Sequence, residues 1–545
     1  MDQTHASESF DLLKAPWVLV RFLDGSDGEV SIREAFRQAD SIREIVGELP
    51  TQSFGILRLL LAIIYRAHED AITVDTWTHW HRDGLPLADI DVYLNDHQDR
   101  FNLFDDQRPF FQVADLATAK GERKDVGPLI ADLPSNNRLF TNRAGEGAES
   151  LSFAEAARWL VHAQAYDISG IKSGAIGDPR VKGGKGYPIG TGFCGLLGGV
   201  YAQGRTLRET LLLNLVPQGS TADRDLIADI PPWEEEEPDG AAERPGLIPC
   251  GPVRLYTWQA RRVRLFSEVD RVVACLVANG DKLTPQNMQT WEPLSAWRFS
   301  EPQTKAAKQT TFMPREHLPG RSLWRGIGAL LPGIAPVVPK RDVPSGLAPG
   351  VVDWLARLDD AGVLEPSMRI RLRAVGMVYG PQSSVVAEVI DDQVLLPLSL
   401  LRERNRPLAR QAEEAVRLAD DGVRAVRRLA ENLEKAAGGN GESRAPWAME
   451  SAWAALDAPY RAWLLSLGDD SDALDAIATW KSTAYGVLRA VGAELVAQAG
   501  PTAWVGREVS RLGQTELITT PRAEGWFLSA LSKTFGSLAR KDAAA

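Results

Sequence analysis

The chain has 545 residues, 44% hydrophobic and 24% charged, a composition that allows two or more globular domains with real cores. Its 72 acidic residues outnumber its 61 basic ones, and the resulting net charge of −11 excludes a protein that coats nucleic acid with its whole surface, which would need Lys and Arg at many phosphates. Three distant cysteines, Cys194, Cys250 and Cys275, exclude a disulfide framework and a C-x-x-C zinc site, and no stretch reaches the roughly 18 apolar residues of a membrane span, so a cytoplasmic location with no membrane association is expected.

In chain order, SFDLLKAPWVLVRFLDG (Ser9 to Gly25) reads as a strand and turn, and FGILRLLLAIIYRAHED (Phe54 to Asp70) as a buried helix. Histidines and aspartates then gather, with His79 and His81 in THWHRDG. An H-x-H on a strand puts two imidazoles on one face, so a metal-dependent nuclease using His79 and His81 is the rival reading from the enzyme class. KSGAIGDPRVKGGKG (Lys172 to Gly186) carries Lys172, Arg180, Lys182 and Lys185 against one acid, Asp178. Its glycines leave the backbone bare, which suits close approach to a phosphate or groove, whereas the ordinary alternative is a flexible surface loop.

GTGFCG (Gly190 to Gly195) matches a dinucleotide fingerprint only formally, because loop precedes it and the strand-like LLGGVYA follows it. LRETLLLNLV (Leu207 to Val216) reads as a helix, ADRDLIADIPPWEEEEPDG (Ala222 to Gly240) as an acidic exposed loop, and RRVRLF (Arg261 to Phe266) as a strand. In GMVYGPQSSVV (Gly376 to Val386) a strand-like run is broken by Gly380 and Pro381 and then resumes, which predicts a β-hairpin with Gln382 in its short polar tip. A plain solvent-facing turn is the ordinary reading of such a tip.

After about Pro397 glycine and proline thin out. Four amphipathic helices are predicted at Asn405 to Ala437, Met449 to Leu467, Ala473 to Ala499 and Ala523 to Lys541, with AAGGNGESRAP as the plainest loop. The first of these, with the turn before it, carries Arg402, Arg404, Arg406, Arg410, Arg417, Arg424, Arg427 and Arg428, several on one face. The fold class expected is therefore α+β: a large mixed N-terminal domain with long loops, 1–396, followed by a C-terminal four-helix bundle, 397–545. No catalytic constellation, metal site or cofactor motif stands out.

FDLLKAPWVLVR, YLNDHQDRFNLFDDQRPFFQ (Tyr93 to Gln112), the LRETLLLNLV helix, WQARRVRLF (Trp258 to Phe266) and GPQSSVV occur in that order. Together they resemble the CasA family, the large subunit of the type I-E CRISPR Cascade complex, over nearly the whole chain. The resemblance implies a non-catalytic DNA-recognition subunit of an antiviral, RNA-guided complex: guide RNA reads the target by base pairing, and this subunit reads a short flanking motif, the PAM, in double-stranded DNA. Implied partners are target DNA, the 5′ handle of the guide RNA, the other Cascade subunits (backbone and small subunits) and a separate helicase-nuclease that it helps recruit.

The resemblance also distributes roles over residues. Gln382, behind Pro381, falls on the family's glutamine wedge, although the familiar pattern has an asparagine where this chain has Pro381. Gly183, Gly184, Lys185 and Gly186 fall on a glycine loop that lies against the minor groove, where only residues without side chains let backbone N–H groups reach the base edges. A lysine that enters the same groove corresponds to Lys305 or Lys308 in EPQTKAAKQTT. Phe140, Thr141, Asn142 and Arg143 in RLFTNRAGEGAE fall on the loop that contacts the guide handle, offering one aromatic for stacking beside amide and guanidinium donors.

Overall fold

The computed structural model describes residues 9–68, 72–133, 141, 143, 145–217, 228–236, 240–339, 341–511 and 514–536. These divide into two compact units, one comprising Met1–Arg321, Ala335–Leu364 and Ile370–Gln393, the other Ser322–Ile334, Glu365–Arg369 and Val394–Ala545. The helical unit thus draws in two short segments in addition to its C-terminal run.

The first unit is built around the Pro50–Ala67 helix, whose residues from Thr51 to Tyr65 are all buried. An unbroken apolar run such as ILRLLLAII has no polar face to give to solvent, so it becomes a central element. Against it packs the Phe153–Tyr166 helix, which starts at a capping box: Ser152 Oγ accepts from Glu155 N–H, and the Glu155 carboxylate accepts from Ser152 N–H at 2.9 Å. The Arg261–Glu268 and Arg271–Asn279 strands pair antiparallel, Arg261 opposite Asn279, and the second also pairs with the short Leu151–Ser152 strand. Another three-stranded sheet has the order Val386–Pro397, Arg369–Tyr379, Gly199–Gln203, with Arg371 opposite Gln203 and Val375 opposite Gly199. The strands read on either side of Gly380 and the LLGGVYA strand therefore share one sheet.

In the second unit the four expected helices are present, as Arg406–Ala437, Ala445–Ser466, Ala473–Ala497 and Thr520–Phe535. The first contacts the other three and buries Leu408, Ala412, Ala415, Ala419, Val423, Val426, Ala430 and Leu433, an i, i+3/i+4 stripe. Trp480 Nε1 and Tyr460 Oη donate to the carbonyls of Ala415 and Ala412, both at 2.9 Å, which satisfies the polar ends of two large core rings. Several boundaries differ from the sequence reading, two of them by four residues or more. The second helix begins earlier because Pro446 is accommodated in its first turn, where no N–H is needed. The last helix stops at Phe535, before Gly536 at φ 87°, and the expected extension through 537–541 lies outside the described residues. A hairpin that the sequence did not announce, Arg507–Arg511 with Gln514–Ile518, sits between the third and fourth helices. No helix among the described residues is long and apolar enough to cross a membrane.

Candidate nucleic-acid interface

The GPQSS tip is a tight turn. Ser383 N–H donates to Gly380 C=O at 2.9 Å, Ser384 N–H to Pro381 C=O at 3.2 Å, and Gly380 N–H to Val385 C=O at 2.9 Å. Pro381 and Gln382 are exposed. Gln382 has φ 55° and ψ 19°, and Ser383 also has positive φ, a region that costs a side-chain-bearing residue about 1–2 kcal/mol relative to the right-handed one. Glycine is the strain-free choice at such a position. A glutamine held there, with no side-chain partner among the described residues, projects from the end of two long strands. Behind it Arg373 grips Asp391 across the hairpin through Nε and Nη2, both at 2.8 Å, and also reaches Glu44 at 3.2 Å. The base of the hairpin is therefore stiffened by a two-pronged ion pair.

The glycine-rich loop is also a hairpin. Lys172–Ser173 pairs with Lys185–Gly186, and Lys182 and Lys185 exchange both backbone hydrogen bonds at 3.1 Å around Gly183 and Gly184. Those two glycines have φ 58° and 72°, the double-positive geometry of a two-residue hairpin turn, and both are exposed with open space where a Cβ would stand. Gly186, by contrast, is buried close to the Asn279 amide. The four cations read from this stretch do not act alike. Lys172 is buried against Asp167 at 2.5 Å, and Arg180 is tied to Asp178 at 3.0 Å and to Glu243 at 2.9 Å. Only Lys182 and Lys185 remain exposed, flanking the glycine turn.

Lys305 and Lys308 stand on a third support, the sheet formed by Trp297–Phe299, Phe312–Pro314 and Gly346–Leu347. Lys305 lies on the Glu301–Ala307 helix, 71% exposed and 3.4 Å from Glu301, while Lys308 caps that helix in the left-handed region at φ 56°. Of the residues expected at the guide handle, Phe140 and Asn142 lie outside the described residues. Thr141 Oγ1 donates to Asp132 at 2.9 Å. Arg143 is drawn inward, with an ion pair to Glu48, a second to Glu155 at 3.5 Å and a bond to Gly147 C=O at 2.9 Å. Burial holds its guanidinium below the ordinary arginine range. Thr141 and Arg143 line a cavity of about 1100 Å³, with His162, Lys172 and Val385 among its other walls. His162 is fully buried, and burial pushes it down to about 3, so the ring is neutral.

The THWHRDG segment is helical, Val74–Asp83, rather than a strand. Residues two apart on a helix leave the axis about 200° apart. Accordingly His79 meets Asp83 at 2.9 Å while His81 stacks on Trp77 with ring centroids 4.8 Å apart. Among the described residues no group of three or more His, Cys, Asp or Glu is placed to hold a metal. On the first bundle helix Arg417 pairs with Glu414 and Asp421, Arg424 with Asp421, and Arg427 with Glu431. Arg410 and Arg428 are exposed and have no carboxylate partner among the described residues.

Comparison with known proteins gives a consistent result. The family model described as CRISPR-associated protein Cse1 matches residues 11–491. The crystal structure of Thermobifida fusca Cse1 superimposes with a TM-score of 0.88 at 42% identity, covering 97% of this chain and 98% of that one. CRISPR-associated protein CasA/Cse1 of Thermus thermophilus is 28% identical over 503 residues, 87% of this chain and 92% of the relative. A chain of a CRISPR RNA-guided surveillance complex, 19% identical, shares the fold with a TM-score of 0.70 over 96% of this chain and 99% of its own length.

Proposed function

Because the chain belongs to the CRISPR-associated Cse1 (CasA) family, subunits of the Cascade surveillance complex, we propose that it reads the PAM in double-stranded DNA and starts strand separation for the guide. In this reading Gly183 and Gly184 lay bare backbone on the minor-groove edge, with Lys182 and Lys185 beside the phosphates. Lys305 or Lys308 enters the same groove, and Gln382 enters the stack at the first base pair after the motif. The handle of the guide RNA is held at the loop carrying Phe140, Thr141, Asn142 and Arg143. These elements belong to the mixed region 1–396, while the arginine face of the bundle 397–545 serves either the displaced strand or a neighbouring subunit. Cleavage is left to a helicase-nuclease that the assembled complex recruits.

The observation that carries the reading is the conformation of Gln382: an exposed glutamine held in the left-handed region at the tip of an ion-paired hairpin, a place where glycine would cost less. A short amide on a stiff support can unstack a pair and offer its own donor and acceptor to the bases it separates. Minor-groove contacts distinguish A·T from G·C and little else, so several related motifs are accepted rather than one. A footprint this local also fits an acidic chain, because few phosphates are neutralised.

The test is binding of guide-loaded complex to duplexes with and without the motif, wild type against Gln382→Ala, with 2-aminopurine reporting the first base pair. The substitution spares assembly and motif-dependent binding but blocks opening. Unchanged opening would overturn the wedge.

A further inference from the structure

The two tips assigned to DNA, Gly183–Gly184 and Gln382, come from distant parts of the sequence, yet one eight-residue segment, Tyr166 to Ser173, bonds to both hairpins. At its start Tyr166 C=O accepts from Tyr379 Oη at 2.6 Å, and Tyr379 is the last residue of the strand entering the wedge turn. In its middle Ser169 N–H donates at 2.7 Å to Ser383 C=O inside that turn. At its end Lys172 and Ser173 form the strand paired with Gly186 and Lys185, and the next residue, Gly174, donates its N–H to Gly184 C=O at 3.1 Å.

The segment is fastened to the core by charge. The Asp167 carboxylate accepts from Lys172 Nζ and from Arg261 Nε, and the Arg261 guanidinium continues to Ile168 C=O at 2.9 Å and Gly190 C=O at 2.8 Å. All three side chains are under 10% exposed. Burial pushes the Asp167 carboxyl up, but Lys172 and Arg261 beside it outweigh that and hold it below its ordinary value, so the carboxylate stays charged between its two cations. Lys172 and Arg261 satisfy the carboxylate while Arg261 also binds two loop carbonyls, so the cluster holds the segment's backbone in one geometry. Gly195 adds a constraint on the wedge side, since a Cβ there would collide with the Tyr379 hydroxyl.

We propose that Tyr166–Ser173, locked by Asp167, Lys172 and Arg261, is a bracket that fixes the distance between the glycine turn and the wedge, with Tyr379 and Ser169 as its positioning residues. The inference rests on the DNA reading of the two tips given above. Base pairs stack about 3.4 Å apart, so a wedge displaced by half that rise relative to the motif-reading turn meets a base edge instead of the gap between pairs. The bracket converts motif contact into opening at one defined step.

The experiment uses guide-loaded complex and the 2-aminopurine duplex, and compares Tyr379→Phe, Ser169→Pro, Gln382→Ala and the double variants. Tyr379→Phe keeps the ring and removes one hydrogen bond; Ser169→Pro removes one N–H. Each slows opening about fivefold, the worth of one hydrogen bond, while affinity for a motif-bearing duplex that cannot pair with the guide changes less than twofold. Added to Gln382→Ala, neither causes a further loss, whereas general damage to the fold would lower the double variant again. Normal opening by Tyr379→Phe beside a defective Gln382→Ala overturns the bracket and leaves the wedge standing. Normal opening by Gln382→Ala overturns the wedge, and the bracket with it. Tyr379→Phe alone decides the matter should Ser169→Pro not fold.

Discussion

Arginine does opposite work in the core of the first unit and on the surface of the first bundle helix. In the first, Arg58, Arg158, Arg261 and Arg262 are between 1% and 4% exposed, and their partners are remote in sequence: Glu292, Glu29, Asp167 and Asp281. In the bundle, Arg417, Arg424 and Arg427 are more than half exposed and pair with carboxylates three or four residues away on the same helix. The guanidinium fork explains the first use. Its five donors satisfy several carbonyls and a carboxylate at once, so Arg261 alone ties together Asp167, Ile168 and Gly190 across loops that lack regular structure. Solvent explains the second, since at the helix surface water competes with every pair and little net energy remains. Loops without regular structure thus use internal cations as staples, as does the turn before the bundle, where Arg402, 10% exposed, reaches Asp469, whereas a helix surface over a continuous apolar stripe does not.

The sharpest way to break this contrast is Arg58→Met. Arg58 Nη1 donates to Glu292 at 2.6 Å, its guanidinium lies 4.1 Å from the Tyr256 ring centroid, and both partners of the ion pair are 1% exposed or less. Removing the cation strands a buried carboxylate, and unfolding of the first unit in denaturant becomes easier by about 3–5 kcal/mol. Combining it with Glu292→Leu recovers most of that loss, because the penalty lies in the unpaired charge. A single-variant loss under about 1 kcal/mol would show that these arginines are no more structural than those of the bundle.

An intermediate effect is expected from pH, again confined to the first unit. His162 is buried, hydrogen-bonded to Thr51 Oγ1 at 2.9 Å and pushed down to about 3, with Asp167 pulling weakly the other way. An unfolded histidine titrates near 6.5, so between about pH 6.5 and 3 the unfolded chain binds a proton that the folded one refuses. The stability contributed by this group is complete above pH 6.5 and drains as pH falls. At pH 5 the loss is on the order of 2 kcal/mol, and His162→Gln removes that part of the slope when denaturation is compared at pH 7 and pH 5. Parallel wild-type and variant slopes would refute the assignment.

Local pattern made much of the fold legible. The bundle helices follow from apolar residues at helical spacing, and the tip carrying Gln382 follows from Gly-Pro between valine-rich runs, whereas the stretch read as a glycine-rich loop closes into a second hairpin. What stayed hidden depends on partners far along the chain. KSGAIGDPRVKGGKG reads as four loose cations, but Lys172 turns in to an Asp167 that the remote Arg261 also holds, and Arg180 joins its neighbour Asp178 to the remote Glu243. The Arg507–Ile518 hairpin leans through Ile518 on a small cluster with Ala436 and Ala503, a contact that no window of twelve residues displays. Positive φ at Gln382 opposes the local preference of glutamine, so a sequence rule predicts the turn and misses the strain within it. Helicity of THWHRDG was likewise set by its surroundings: Trp77 and Trp80 are buried on one side while His79 faces solvent.

The smallest expected effect closes the comparison from the other end. Arg417 is 62% exposed, with Glu414 three residues before it and Asp421 four after, and Asp421 binds Arg424 as well. Deleting one cation from such a row leaves the acids hydrated and the apolar stripe beneath untouched. Arg417→Ala therefore changes the unfolding free energy of the bundle by less than about 0.5 kcal/mol, and that small change shrinks further in high salt. Alanine's better helix propensity offsets part of even this loss. A change above about 1 kcal/mol, insensitive to salt, would mean that the helix-surface pairs are locked as the buried ones are, and the division between stapling and solvated arginines would fail.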